Sequence, residues 1–166
     1  VFCWVTRPNL PMGLRILEAR GVEYKQMPFT WRKLYPNGEE FCGPGGYNFT
    51  NPEDVILGRW PGSVLWHPNT GWKPKTFVSA PHPRGEDGKI IHSRKPEEVQ
   101  DLIDRWLDPY IGDYSKVELF ATRERTGWVC IGGDITGQDI REDLQFIAAQ
   151  IALSRFLDDL PIGVLS

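Results

Sequence analysis

Hydrophobic periodicity changes character several times along this chain, from the short apolar runs and two-residue alternation of strands to the 3.6-residue recurrence of helices. No other feature constrains the fold as much, because strands interleaved with helices bury their apolar faces by layering helices on a sheet. Val1 to Val5 reads as a buried strand. Pro8 and Pro11 then punctuate the entry to a short helix carrying Leu10, Leu14 and Leu17, with Gly21 as its stop. Glu23 to Trp31 is a second strand, 35–52 a long loop rich in Gly, Pro and Asn, Glu53 to Leu57 a third strand, and 59–74 irregular. Pro96 opens the clearest helix: Val99, Leu102, Ile103, Trp106 and Leu107 form one apolar stripe, and Glu97, Glu98, Asp101 and Asp104 face water. Lys116 to Ala121 and Trp128 to Ile131 are further strands, and Gln138 to Leu160 is a long closing helix. The expected fold class is α/β, with ligands at the carboxyl ends of the strands.

At 166 residues the chain is expected to be a single domain, 1–166, burying roughly 70% of its unfolded surface. A formal charge of −3 provides no global basic field, so any polynucleotide contact has to be local. Between Lys73 and Lys95 six basic residues (Lys73, Lys75, Arg84, Lys89, Arg94, Lys95) stand against two acidic ones, Glu86 and Asp87. This stretch is either a flexible phosphate-facing arm or a solvated loop. Cys3, Cys42 and Cys130 have no metal-type spacing and suit reduced thiols in a cytoplasm. His67, His82 and His92 repeat no metal pattern, and no metal site is expected. No apolar run reaches the ~18 residues of a membrane span. The opening directly on a strand at Val1 suggests that a segment upstream is missing.

Two places have residues suited to a ligand. Lys95 stands at the entrance of the acidic helix, where free backbone N–H groups and a cation hold a carboxylate or phosphate; alternatively Ser93 or a neighbour caps that helix and the lysine is incidental. After the strand ending at Ala121, Arg123 is followed by Gly132-Gly133-Asp134, where an aspartate can accept from ribose hydroxyls while the glycines admit a ligand to the backbone. An ordinary turn uses the same glycines. In the 60–72 loop, one or two of Trp60, Trp66 and Trp72 are candidates to stack on a base.

Taken in order, the blocks Phe2-Cys3-Trp4-Val5-Thr6, Pro8-Asn9-Leu10-Pro11, Phe29-Thr30-Trp31-Arg32-Lys33, Gly46-Tyr47, Asn51-Pro52-Glu53, His92-Ser93-Arg94-Lys95-Pro96-Glu97-Glu98 and Glu118-Leu119-Phe120-Ala121 resemble the S-adenosylmethionine-dependent N(6)-adenine methyltransferases of phages, bacteria and the eukaryotic messenger-RNA methylation machinery. The phage DNA-modifying branch is nearest, and the likeness runs from Val1 to about Asp143. It implies a Rossmann-like methyltransferase sheet with helices on both faces, incomplete at the N-terminus, and methyl transfer from S-adenosylmethionine to the 6-amino group of a flipped adenine. It further implies cofactor contacts from Lys95, Arg123, Gly132, Gly133 and Asp134. Substrate contacts would come from Tyr47, Asn51 and Glu53, joined by Lys73, Lys75 and Arg84 of the basic stretch. The implied partner is nucleic acid, DNA ahead of RNA, with a second methyltransferase-like chain as a further partner. The implied setting is the cytoplasm of a bacterium or phage-infected host, without a membrane.

The sequence also departs from the family. The Asp-Pro-Pro-Trp tetrapeptide that holds the attacking amino group does not occur, and Asn51-Pro52-Glu53 and Asp108-Pro109-Tyr110 do not match it. Thr122 stands where the family has an arginine after Glu-Leu-Phe-Ala, and Gly133 where it has a cofactor-contacting asparagine. Two classes of function are then open: a methyltransferase whose catalytic segment lies outside this chain, and an inactive paralogue that binds nucleic acid or a partner. An unrelated α/β binding module is a third, which would not respond to S-adenosylmethionine. The chain by itself is expected to transfer no methyl group.

Overall fold

The computed structural model describes residues 1–63, 72–107, 116–146 and 148–149. They fall in two compact units, Val1–Gly112 and Asp113–Ser166. In the first unit β1 (Phe2–Thr6) leads through a turn of 3₁₀ helix, Arg7–Asn9, into α1 (Leu10–Ala19), followed by β2 (Glu23–Leu34), β3 (Glu53–Arg59), β4 (Phe77–Pro81) and α2 (Glu97–Leu107). The four strands form one sheet in the order β1-β3-β2-β4. β3 runs antiparallel to both β1 and β2, while β4 is parallel to β2, so three strands share a direction and one is reversed.

Each helix covers a different face of this sheet. Proline in the first turn of α1 meets no missing-donor cost, and Leu17 packs with Val5, Val22 and Ile56 in a buried cluster that also takes in Cys3, Leu10, Leu14 and Met27. Gly13 is required there by close approach, since a Cβ would lie 2.5 Å from Val5 Cγ1. On the opposite face Trp106 of α2 sets its ring edge-on to Phe2 and Phe29 at 6.1 and 6.0 Å. Val99 and Ile103 are buried on the same helix, so the stripe expected from Val99 to Leu107 is the packing stripe. Burying three such side chains contributes about 1.5–3 kcal/mol each.

Register slips twice in β2, between Tyr24 and Gln26 and between Gln26 and Phe29. The second slip spans Pro28, which has no N–H for the ladder. Pairing of β2 with β4 begins beyond that point, at Thr30 with Phe77.

Two expectations need correction. The stretch 73–95 is not a free arm, because β4 lies within it and adds to the central sheet. Its continuation folds back on itself through the Arg84–Ile90 bridge. The carboxyl end of β3 does not share an edge with the ends of β1 and β2. Thr6 and Trp31 both pair with Glu53, whereas Leu57 pairs with Phe2 at the far end of β1, so the start of β3 lies at the ligand-type edge. The 59–74 region lies partly outside the described residues and Trp66 wholly so; Trp72 has the guanidinium of Arg105 4.3 Å from its ring centroid.

In the second unit β5 (Lys116–Leu119) pairs in parallel with β6 (Trp128–Ile131), followed by the short helix α3 (Gly133–Thr136). β5 ends two residues short of Ala121. The long closing helix expected over 138–160 is helical at 140–146; most of its remaining length lies outside the described residues.

Candidate functional site

The sheet edge formed by the ends of β1, β2 and β4 and the beginning of β3 gathers polar chemistry that sequence spacing does not show. Glu53, first residue of β3, accepts from Lys33 Nζ at 2.7 Å on one carboxylate oxygen and from Lys95 Nζ at 2.5 Å on the other. All three side chains are largely withdrawn from water, with 12% of Glu53, 15% of Lys33 and 24% of Lys95 exposed. Burial alone would raise the Glu53 pKa, but the hydrogen bonds and charges of the two lysines outweigh it and hold the carboxyl below its usual range. Two cations on one carboxylate leave a local excess of one positive charge. The lysines also lie over rings, Lys33 Nζ 5.2 Å from the Trp31 centroid and Lys95 Nζ 5.5 Å from that of Trp4.

Lys95 immediately precedes Pro96 and α2, as expected. A pocket of 420 Å³ lies beside β1, an edge strand of the sheet, and Lys95, Glu53, Trp4, Thr6 and Asn9 are among its lining residues. Lys95 and Glu53 therefore meet in one site, although the family likeness divides them between cofactor and substrate.

His82 follows β4, and no sequence pattern gives it a role. Its ring sits edge-on between Trp31 at 4.9 Å and Phe41 at 4.7 Å. Its Nδ1 is buried without a hydrogen-bond partner among the described residues. Burial, and the nearby positive charges of Lys33, Lys95 and Arg84, lower its pKa against the opposing pull of Glu53, so the imidazole is neutral at pH 7.

Asn51 anchors the long loop. Its side chain accepts from the Lys33 backbone N–H at 2.8 Å, donates to the Lys33 carbonyl at 3.0 Å and also donates to the Phe41 carbonyl. Tyr47, at the tip of the same loop, is fully exposed. Lys73, Lys75 and Arg84 are exposed; Arg84 donates to the Gly88 carbonyl, bracing the turn at 85–88. Asp54, which sequence reasoning misses, is buried at 1% exposure, accepting from Thr30 Oγ1 at 2.6 Å and paired with Arg7 at 3.1 Å. An acid directly after a candidate acid in a strand is the available signal, since neighbours in a strand face opposite sides.

The remaining candidates belong to the second unit. Arg123 is half-buried in the turn after β5, and Gly133 and Asp134 are exposed at the start of α3. Gly132 is buried against the chain at Ala121, where a Cβ would come within 2.4 Å of the Ala121 carbonyl oxygen. The glycine thus serves close backbone packing between the segment after β5 and the end of β6. Asp143, which no motif marks, is buried and accepts from Thr136 Oγ1 at 2.8 Å. A second pocket of 340 Å³ is lined by Glu124, Arg125, Thr126, Trp128, Cys130 and Ile135. Among the described residues no group of His, Cys, Asp and Glu is arranged to hold a metal ion, and no helix is long and apolar enough to cross a membrane.

A mixed sheet with helices on both faces and a cationic, aromatic-flanked pocket at one sheet edge is compatible with a methyltransferase fold. The chain is similar to the type II methyltransferase M.MunI of a Mycoplasma species, 28% identical over 136 residues that take in 77% of this chain and 47% of that protein. It thus spans about half the length of the curated relative it matches. No family model matches the chain.

Proposed function

We propose that this chain forms the cofactor-binding and base-handling part of an S-adenosylmethionine-dependent methyltransferase that modifies the 6-amino group of adenine in DNA. The carrying observation is Lys95: it stands at the start of α2, lines the pocket beside β1 and shares the Glu53 carboxylate with Lys33. Similarity to a type II methyltransferase supports the reaction class, and the blocks of sequence from Phe2 to Ala121 support adenine as the base.

The residues suit the cofactor. A pocket of 420 Å³ falls within the range of roughly 300–1,000 Å³ usual for small-ligand sites. The ammonium of Lys95 suits a methionine-type carboxylate, and the Trp4 face beside it suits a sulfonium. When bound, the cofactor supplies an electrophilic methyl group, which the adenine amino nitrogen takes with loss of a proton. Glu53 holds both lysines in place. The second unit has candidates of its own: the exposed Asp134 has the chemistry to accept from a ribose hydroxyl, and Arg123, Gly132 and Gly133 are the others that the sequence likeness offers there. On the substrate side Tyr47 and Asn51 belong to the loop that ends at Glu53, and Lys73, Lys75 and Arg84 supply phosphate contacts.

Calorimetric titration of the chain with S-adenosylmethionine and with its demethylated product tests this reading. Saturable binding of both supports it, and no heat above dilution for either removes it. Binding is the proper readout, because the sequence contains no Asp-Pro-Pro-Trp to hold the attacking amino group.

A further inference from the structure

The loop between β2 and β3 has a rigid root and an apolar tip. At the root Gly43 and Thr50 exchange both backbone hydrogen bonds, each 2.8 Å, and Asn51 ties the chain to Lys33 and Phe41. Phe41 packs against Tyr35 at 5.2 Å and His82 at 4.7 Å. Within the loop Gly45 is tightly opposed to Asn48: a Cβ there would lie 2.3 Å from the Asn48 carbonyl oxygen and 2.8 Å from Thr50 Cγ2. This narrow turn presents Tyr47 at 105% and Phe49 at 75% exposure.

Two large rings held in water at the tip of a braced turn have no role in the core of this unit. Each ring offers about 150–250 Å² of contact surface, well short of the roughly 800 Å² per partner of a stable protein interface. A base step in a duplex fits them better, since an aromatic side chain covers the face of an unstacked base and any base presents such a face. Position supports the same occupant. Tyr47 is six residues before Glu53, so the tip lies within about 20 Å of the Lys33–Glu53–Lys95 cluster.

We infer that the 43–50 loop is a wedge for duplex DNA, with Tyr47 and Phe49 stacking into the gap left when a base is turned out. The inference rests on the methyltransferase reading for its choice of DNA, and it adds Phe49 and a stacking role for the loop. A gap-filling wedge lowers the cost of extrusion by replacing lost base stacking, so the chain should prefer a duplex in which the gap already exists.

The test is anisotropy of a labelled duplex carrying one central abasic site, against the same duplex intact, for wild type and for Tyr47→Ala/Phe49→Ala. Wild type should bind the abasic duplex about tenfold more tightly, with the preference lost in the double variant and restored by Tyr47→Trp in the Phe49→Ala background. Melting curves and titration with S-adenosylmethionine on the same samples show whether each variant is folded and retains its cofactor pocket. Equal affinity of wild type for the two duplexes overturns the wedge while leaving the methyltransferase reading intact. Binding to neither duplex, with cofactor binding preserved, also overturns it. A wild-type dimer that the double variant abolishes in sedimentation overturns it in favour of a contact between copies of the chain. Absence of cofactor binding in wild type, with a persistent abasic preference, leaves the wedge standing and defeats the methyltransferase reading.

Discussion

Lys95 Nζ donates to Glu53 Oε2 at 2.5 Å, although 42 residues separate them in sequence. The contact joins the first residue of β3 to the approach to α2, and the second lysine on the same carboxylate, Lys33, comes from β2. Replacing Glu53 by Gln leaves two largely buried ammonium groups facing each other without their shared anion. The expected cost is about 1.5–3 kcal/mol, read as a lower urea midpoint. Because the folded Glu53 pKa lies below its usual 4.5, the stability it contributes is complete above that value and is lost as pH falls through the folded pKa. Glu53→Gln should therefore flatten the acid limb of the stability profile. An unchanged limb would show that the cluster has little energetic weight.

Lys95→Ala should weaken S-adenosylmethionine binding by about 10–100-fold, the loss of one charge-assisted hydrogen bond. Lys89 is the control, since it is 85% exposed, pairs with Asp87 on the 85–88 turn and is not among the residues lining the pocket. Its removal should leave cofactor affinity unchanged. Calorimetry showing equal affinity for wild type and Lys95→Ala would detach the lysine from the cofactor.

His82 should make the protein less stable in mild acid. Its folded pKa is depressed from 6.5, chiefly by burial, so between that lowered value and 6.5 the unfolded chain binds more protons than the folded one. Stability therefore falls as pH drops through 6.5 and levels off below the folded pKa. His82→Phe keeps a ring between Trp31 and Phe41 without the titration. Urea midpoints measured from about pH 7.5 to about 5 should fall less for this variant than for wild type. Parallel profiles would assign the loss to another group.

Gly132→Ala should destabilise the second unit by about 1–3 kcal/mol, because the new methyl meets backbone, 2.4 Å from the Ala121 oxygen and 2.8 Å from its nitrogen. Gly133→Ala should be close to neutral, since its nearest neighbour, the Gln138 carbonyl oxygen, is 3.7 Å away, an ordinary contact. Thermal melts of the pair separate the packing role of one glycine from the exposed position of the next. Equal melting temperatures would remove that distinction.

The sequence by itself determined the strand that became β1, the helix stops and the apolar stripe of α2. Each is written in side-chain period and in local turn chemistry, which act over a few residues. It also set Lys95 at the entrance of α2, because Pro96 marks that entrance. Tertiary structure decided the direction of β3, since a two-residue period is the same read either way along a strand. That reversal brings Glu53, rather than Leu57, to the edge shared with Thr6 and Trp31. β4 was hidden for a related reason: five residues among lysines, prolines and glycines have no pattern of their own and become a strand by pairing with β2. The Lys33–Glu53–Lys95 cluster, the enclosure of His82 and the Ala121–Gly132 contact depend on side chains and backbone brought together across the fold, which no local pattern specifies.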